Sequence, residues 1–339
     1  MLSDVCDLLT CPVCGGELRV AAASLRCAEG HGFDVARQGY VNLLPGGARP
    51  GTADTADMVA ARAAFLSAGH YAPLARAIAD LAACATAPGP VGATATAPGP
   101  PQATAAAPGP AQATAAAPGP ARVLDAGAGT GYYLAAVLDR LEHGTPRQDA
   151  PLQPVRRDAP LQPAGPAGLA MDISVRALRR AARAHPAIGA VAWDVWRPLP
   201  VRDGAVSLVI NVFAPRNGAE FRRVLRPGGA LIVVTPAPGH LAELAGAGLL
   251  AVDDRKEERL AAALGDHFRQ VSQEELAITL RLGHEDAAGL VAMGPAAWHS
   301  GAAAIRDRLA RWPAPVTVTA AFRIAVYQPR PPVCVRFPL

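Results

Sequence analysis

Residues 123–134 read VLDAGAGTGYYL, and no other segment constrains the fold as much. An apolar run suited to a buried strand ends at Asp125. Glycines follow at 127, 129 and 131, and YYLAAVLDRL continues with the apolar spacing of a helix. Glycine permits tight turns and lets the backbone approach a ligand closely. A helix that begins at such a turn aims its unpaired N–H groups at whatever binds there. Strand, glycine turn and helix in this order predict a parallel sheet with a ligand at the carboxyl ends of its strands.

The flanking sequence extends the pattern. ARVLDA is a strand and GLAMD the next, followed by the helix VRALRRAARAH. AVAWD and AVSLVINVF are strands, AEFRRVL a helix, RPGG a turn, and ALIVVTP a fifth strand. Strands alternating with helices predict a doubly wound α/β sheet covered on both faces. From about residue 269 to 327, VSQEELAITLRL and TVTAAFRIAVYQ add two strand-like runs with a helix between them. Upstream, Met58, Ala61, Phe65, Leu74, Ile78 and Leu81 mark two helices that bend near Gly69 to Pro73.

Two segments interrupt this order. The tripeptide PGP recurs with a period of ten at Pro88, Pro98, Pro108 and Pro118, among Ala/Thr-rich septets that offer nothing to a core. DAPLQP occurs at Asp149 and again at Asp158, and reads as a surface insertion. The expected organisation is a small lobe over 1–50, lead-in helices over 51–86, a low-complexity linker over 87–120, and the α/β domain over 121–339 with a loop insertion at 147–167.

Which ligand the glycine turn takes follows from its spacing. Dinucleotide sites use G-x-G-x-x-G, whereas this turn is G-x-G-x-G behind an acid. Asp125 is unfavourable beside a pyrophosphate and suits a cationic ligand with an amino-acid end, such as S-adenosylmethionine. Gly127, Gly129 and Gly131 belong to the same cradle. Asp172, at the end of the next strand, is placed to hold ribose hydroxyls, or else to cap the following helix, for which Ser174 is the better candidate. Trp193 is a candidate to stack on adenine and Asp194 to accept from its amino group; the alternative for Trp193 is packing on a neighbouring helix. Asn211, Phe213 and Pro215, in NVFAP at the next strand end, are expected beside the transferred methyl and its acceptor. Asn211 offers a base edge both donor and acceptor, and Phe213 a stacking face, unless Phe213 is core and Pro215 only turns the chain. Transfer to a ring N–H needs a proton acceptor. Asp194 is one candidate, with Asp203 and Asp54 behind it.

The amino end carries a second signal. Cys11, Cys14, Cys27 and His31 form two short-spaced pairs separated by a loop, the pattern of a tetrahedral zinc site. Four protein ligands leave no open position, so the metal is structural; unliganded thiols are the alternative. A lobe this small needs such a staple. No run of eighteen apolar residues and no secretory leader are evident, so a cytoplasmic chain with reduced thiols is expected. The net charge of +4 permits a nucleic-acid partner without demanding one. Arg176, Arg179, Arg180 and Arg183 share one helix, and Arg222, Arg223 and Arg226 lie together. Each group reads as a solvated face or as phosphate contacts.

With these residues in view, the chain resembles the bacterial 23S rRNA guanine-N1-methyltransferases. The resemblance rests on the zinc ligands with HGFDVARQGYVNLL, on DTADMVAARAAFLSAGHYAPL, and on VLDAGAGTG, NVFAPRN and TPAPGHLAEL. It implies a zinc-binding RNA-recognition domain joined to a class I S-adenosylmethionine-dependent methyltransferase domain, with 1-methylguanosine as product. DVARQGYVNLL and NVFAPRN are similar to the actinobacterial branch, associated with tylosin resistance, which modifies guanine-748 in a hairpin loop of domain II. The Gram-negative branch modifies guanine-745. The resemblance further implies zinc at Cys11, Cys14, Cys27 and His31. It implies cofactor contacts at Asp125, Gly127, Gly129, Asp172 and Asp194, and places Arg62, His70 and Tyr71 near the cofactor or RNA cleft. It allows a homodimer. A small-molecule methyltransferase and a non-catalytic RNA-binding module are the competing classes.

Overall fold

The computed structural model describes residues 2–46, 54–87, 119–144, 165–250, 262–294 and 302–331. The two repeats, apart from the ends of their segments, and Cys334 lie outside the described residues.

Two short 3-10 turns, Leu2–Asp4 and Cys6–Leu8, open the chain. A small antiparallel sheet follows, made of β1 (Arg19–Ala21), β2 (Ser24–Arg26) and β3 (Gly32–Asp34). The expected hairpin of LRV and SLRC is its first two strands. After β4 (Tyr40–Asn42) come the lead-in helices α1 (Ala56–Ser67) and α2 (Ala72–Thr86), bent apart at the expected place. Thr55 caps α1 by accepting the Met58 N–H.

The alternating region then runs β5 (Arg122–Ala126), α3 (Tyr132–His143), β6 (Ala167–Asp172), α4 (Val175–Ala184), β7 (Ile188–Ala192), β8 (Val206–Val212), α5 (Gly218–Val224) and β9 (Leu225–Pro236). A short α6 (Ala242–Gly246) precedes β10 (Phe268–Leu282), α7 (His284–Ala292), α8 (Ala302–Leu309) and β11 (Val316–Pro329). RPGG does not end before the fifth strand. It is drawn into β9 as an irregularity, with Leu225 opposite Val206 and regular pairing resuming at Ala230 opposite Leu208.

Eight strands form one sheet in the order β10-β11-β9-β8-β5-β6-β7-β4. From β4 to β9 all neighbours are parallel; β11 runs antiparallel to β9, and β10 antiparallel to β11. The chain reverses direction across the sheet between β5 and β8, so the carboxyl ends of these two strands open the crevice that such sheets use for ligands.

Alternation along each strand divides the core in two. Val123, Ala170, Ile188, Leu208, Ile210, Ile232 and Val234 face a layer that includes α2, α3, α4 and α7. Leu124, Leu169, Met171, Val191, Val209 and Val233 face the opposite way, onto Phe221 of α5 and onto Val5, Leu8, Leu9, Leu18 and Leu25 of the amino-terminal lobe. The lobe expected over 1–50 packs directly on the sheet. The lobe supplies part of one covering layer, and β4 joins the main sheet as its edge, Val41 pairing with Val191.

Candidate functional site

The glycine turn holds itself with its own donors. Gly127 N–H and Ala128 N–H both donate to Met171 O, at 2.8 and 3.0 Å, and Gly129 N–H donates to Asp172 Oδ2 at 2.8 Å. A pyrophosphate cradle needs those N–H groups aimed at the ligand. Here the N–H groups of Gly127, Ala128 and Gly129 are committed to β6. The geometry thus disfavours a dinucleotide for a reason that spacing alone did not supply. The glycines remain necessary. Gly127 has φ 89°, and a Cβ there would stand 2.3 Å from Ala214 Cβ, so the turn and the end of β8 close directly on each other.

Two carboxylates stand at this end of the sheet. Burial pushes Asp125 well above the usual carboxylate range, and the neighbouring Asp172 pushes it further. Burial also raises Asp172, against the pull of the Ser174 and Gly129 N–H groups that its two oxygens accept at 2.7 and 2.8 Å. A buried acidic pair gains most from a cationic ligand. Ser174 caps α4 through Ala177 N–H, as expected, so Asp172 keeps acceptor capacity beyond its two backbone bonds. Arg62 pairs with Asp54 and donates to Met293 O at 2.8 Å, which holds its guanidinium over Gly129.

Asn211 is fully buried between β5 and β8. Its amide nitrogen donates to Ala126 O at 2.9 Å and to Pro215 O at 2.8 Å. Both N–H groups are consumed, so the expected donation to a base edge is corrected: Asn211 ties the NVFAP loop to the glycine strand. Its Oδ1 is buried without a partner among the described residues. The buried acidic pair at the strand ends fits a cationic ligand such as S-adenosylmethionine.

Phe213 lies at the next position but one. Strand alternation would send its ring to the lobe side with Asn211. Instead Phe213 takes φ 55°, a left-handed conformation rare for a bulky residue, and its ring lies 5.7 Å from Phe322 on the opposite face. Phe322 is also 5.0 Å from Tyr71 and 5.0 Å from His240. The Phe213 ring is 38% exposed and the others sit behind or beside it. Tyr71, carried as a cofactor residue, is buried edge-on between Phe65 and Phe322, and burial raises its phenol. It supports the platform from within the core.

Trp193 is corrected as an adenine platform. Ala190 and Ala192 face the first core layer, so Trp193 faces the second; it is 5% exposed and its indole N–H donates to Pro198 O at 3.1 Å. Asp194 follows it at the strand end and closes a turn, with Oδ1 accepting Trp196 N–H at 3.0 Å. Asp203 is paired with Arg223 at 2.6 Å. Tyr133 and His240 were missed by sequence reasoning. Burial raises the Tyr133 phenol, which also senses Tyr71, Arg62 and Asp125.

In the lobe, Cys11 Sγ lies 3.7 Å from His31 Nδ1, Cys14 Sγ 3.7 Å from Cys27 Sγ, and Cys27 Sγ 3.3 Å from His31 Nδ1. All four ligand atoms lie within 4.8 Å of one another. A tetrahedron with Zn–S bonds of about 2.3 Å has S–S edges of about 3.8 Å. The set fits zinc held through His31 Nδ1. Burial pushes the Cys27 thiol up, but hydrogen bonds with His31 outweigh it and bring the thiol down to about 7, which favours the thiolate that zinc requires.

Comparison with known proteins agrees with this assembly. Residues 9–49 match the zinc-ribbon family described as RlmA, N-terminal. A Streptomyces fradiae protein named 23S rRNA (guanine(748)-N(1))-methyltransferase is 45% identical over 334 residues, covering 98% of this chain and 100% of that one. A Micromonospora griseorubida protein, provisionally named a 23S rRNA (guanine-N(1)-)-methyltransferase, is 46% identical over 334 residues, covering 97% and 100%. Among solved structures, a Bacillus halodurans C-125 protein provisionally described as a methyltransferase overlaps 64% of this chain and 95% of its own, with 16% identity and a TM-score of 0.40, too low to carry weight. Full-length identity at this level, with the zinc set and the acid-flanked glycine turn both present, settles the membership: the chain belongs to the 23S rRNA (guanine-N1)-methyltransferase family.

Proposed function

We propose that the protein transfers the methyl group of S-adenosylmethionine to N1 of guanine-748 in a hairpin loop of 23S rRNA, and so contributes to tylosin resistance. The reading rests above all on the match along the whole length of the Streptomyces fradiae protein, whose name specifies that guanine. Guanine-745 is the alternative position. No helix among the described residues is long and apolar enough to cross a membrane, in keeping with an rRNA substrate.

The site residues divide the work. When bound, S-adenosylmethionine supplies a methyl group on a good sulfur leaving group. Asp125 and Asp172 would hold its charged end and ribose, and Asp194 its adenine. Phe213 offers the acceptor guanine a stacking face that excludes water. Guanine N1 carries a proton, which must leave as the N1–methyl bond forms and the sulfur–methyl bond breaks. We assign that proton to His240. Its ring lies 5.0 Å from Phe322, beside the Phe213 stacking face, and its Nδ1 is 2.7 Å from Ala321 O.

The deciding experiment is methyl transfer to unmodified 23S rRNA, with the modified nucleotide mapped by primer extension. A stop at guanine-748 supports the reading; a stop at guanine-745 replaces the position, and no transfer with the cofactor bound refutes it. In the same assay His240→Ala should lower kcat by roughly a hundredfold or more without changing cofactor affinity. An unchanged kcat removes His240 from the mechanism.

A further inference from the structure

A cleft of about 450 Å³ opens where the zinc lobe meets the loop after β7. Pro12 and Gly15 of the zinc knuckle line one side; Arg197 and Pro198 line the other; Trp193 forms part of the lining. We propose that this cleft is a second nucleotide pocket, holding an unpaired nucleotide of the RNA loop that neighbours the methylated guanine. The proposal rests on the RNA reading above and names where the lobe grips that RNA.

The walls are fixed to each other. Thr10 N–H donates to Pro200 O at 3.0 Å, Arg202 N–H donates to Leu8 O at 2.9 Å, and Leu9 bridges Val201. The Trp193 indole bonded to Pro198 O holds the loop over the lobe. A volume of this size lies in the range of about 300–1,000 Å³ used by small-molecule sites, and needs no opening motion.

Two exposed apolar side chains adjoin the lining in sequence. Large apolar side chains are seldom exposed among the described residues, yet Val13 and Trp196, each 65% exposed, are immediate neighbours in sequence of the lining residues Pro12 and Arg197. Trp196 is held outward by its turn: its N–H donates to Asp194 Oδ1 and the Arg197 N–H to Asp194 O, both at 3.0 Å. An exposed indole on a braced turn contributes little to the core. It suits stacking on a base. The lining contains no carboxylate, and Arg197 is its charged member, which suits a phosphate. Unpaired bases splayed from an RNA loop are the natural ligand of an aromatic with an adjacent guanidinium. Because the turn that presents Trp196 is anchored on Asp194, a nucleotide held here sets the distance from the lobe to the methyl-transfer site.

The test uses the full-length, zinc-loaded protein and unmodified 23S rRNA free of ribosomal proteins. Trp196→Ala should weaken RNA affinity about tenfold or more, with zinc content and cofactor affinity unchanged, and Trp196→Phe should restore most of it. Wild-type tryptophan fluorescence should be quenched by the RNA, and Trp196→Phe should lose that quenching. Arg197→Gln should make the salt dependence of binding shallower. Unchanged RNA affinity in Trp196→Ala, with the wild type active, overturns the pocket alone. A defect seen only with assembled ribosomal particles also overturns it, pointing to a protein contact. Failure of the wild type to methylate 23S rRNA removes the parent reading and the pocket together.

Discussion

Asp125 illustrates how much chemistry one buried carboxylate sets. Burial and then the Asp172 charge raise its pKa, so its ionised form destabilises the cofactor-free fold. The sign follows directly. Below the ordinary carboxylate range Asp125 is neutral folded or unfolded, and Asp125→Asn should match the wild type in thermal stability. As pH rises past that range toward the raised folded pKa, the unfolded carboxyl ionises freely while the folded one resists. The wild type should then lose stability that Asp125→Asn retains. The gap between their melting temperatures should widen from acid to neutral pH, while the variant binds S-adenosylmethionine much more weakly. A pH-independent gap, or full cofactor affinity, would show that the carboxylate is not held for a cation. Asp125, the glycines and Asp172 were legible in sequence because their spacing is tied to the strand–turn–helix unit. The place of Phe213 at the strand end was legible, but not the direction of its ring, since a left-handed φ at phenylalanine has no sequence signature. Trp193 was misjudged although the signal was there: alternation from Ile188 through Ala190 and Ala192 already sends it to the other face.

At the scale of elements, the strands and helices were legible because a parallel sheet covered on both sides demands continuous apolar runs bounded by turns. β4 was not legible. Three residues, Tyr40–Asn42, carry too little pattern, and only tertiary pairing with β7 makes them a strand. α4 lies next to it. Ala182 packs near Gly39 and Ala181 against Gly131, so this helix spans from the lobe edge to the glycine turn. Its Arg176, Arg179, Arg180 and Arg183 are all exposed, and none forms an ion pair among the described residues. A solvated helix face and a phosphate-binding face differ in one measurement. If the face binds RNA, Arg179→Gln with Arg180→Gln should leave stability and cofactor binding intact and weaken RNA affinity. The slope of log affinity against log salt should fall by roughly 0.7 for each phosphate that the helix no longer neutralises. An unchanged slope would return α4 to the role of a solvated surface.

Over the whole molecule, the lobe and the sheet share one apolar layer, with Leu9 and Leu25 of the lobe fully buried in the same cluster as Leu124 and Met171. The sequence suggested a separable lobe because composition and cysteine spacing report the metal site but not what its outer face covers. Metal removal should therefore act at a distance. Chelation of zinc, or Cys11→Ser, should lower the melting temperature of the entire protein in a single transition and expose apolar surface that binds a hydrophobic dye. A separate early transition, with the cofactor site melting at its original temperature, would show that the lobe is dispensable to the sheet.

The pairing of Val41 with Val191 also orders events in time. During synthesis the cysteines and histidine emerge long before the strand that β4 must join, so the metal knot can tie itself while the sheet has no partner for that edge. The sheet's edge on that side is thus closed by residues made long before the strand they join.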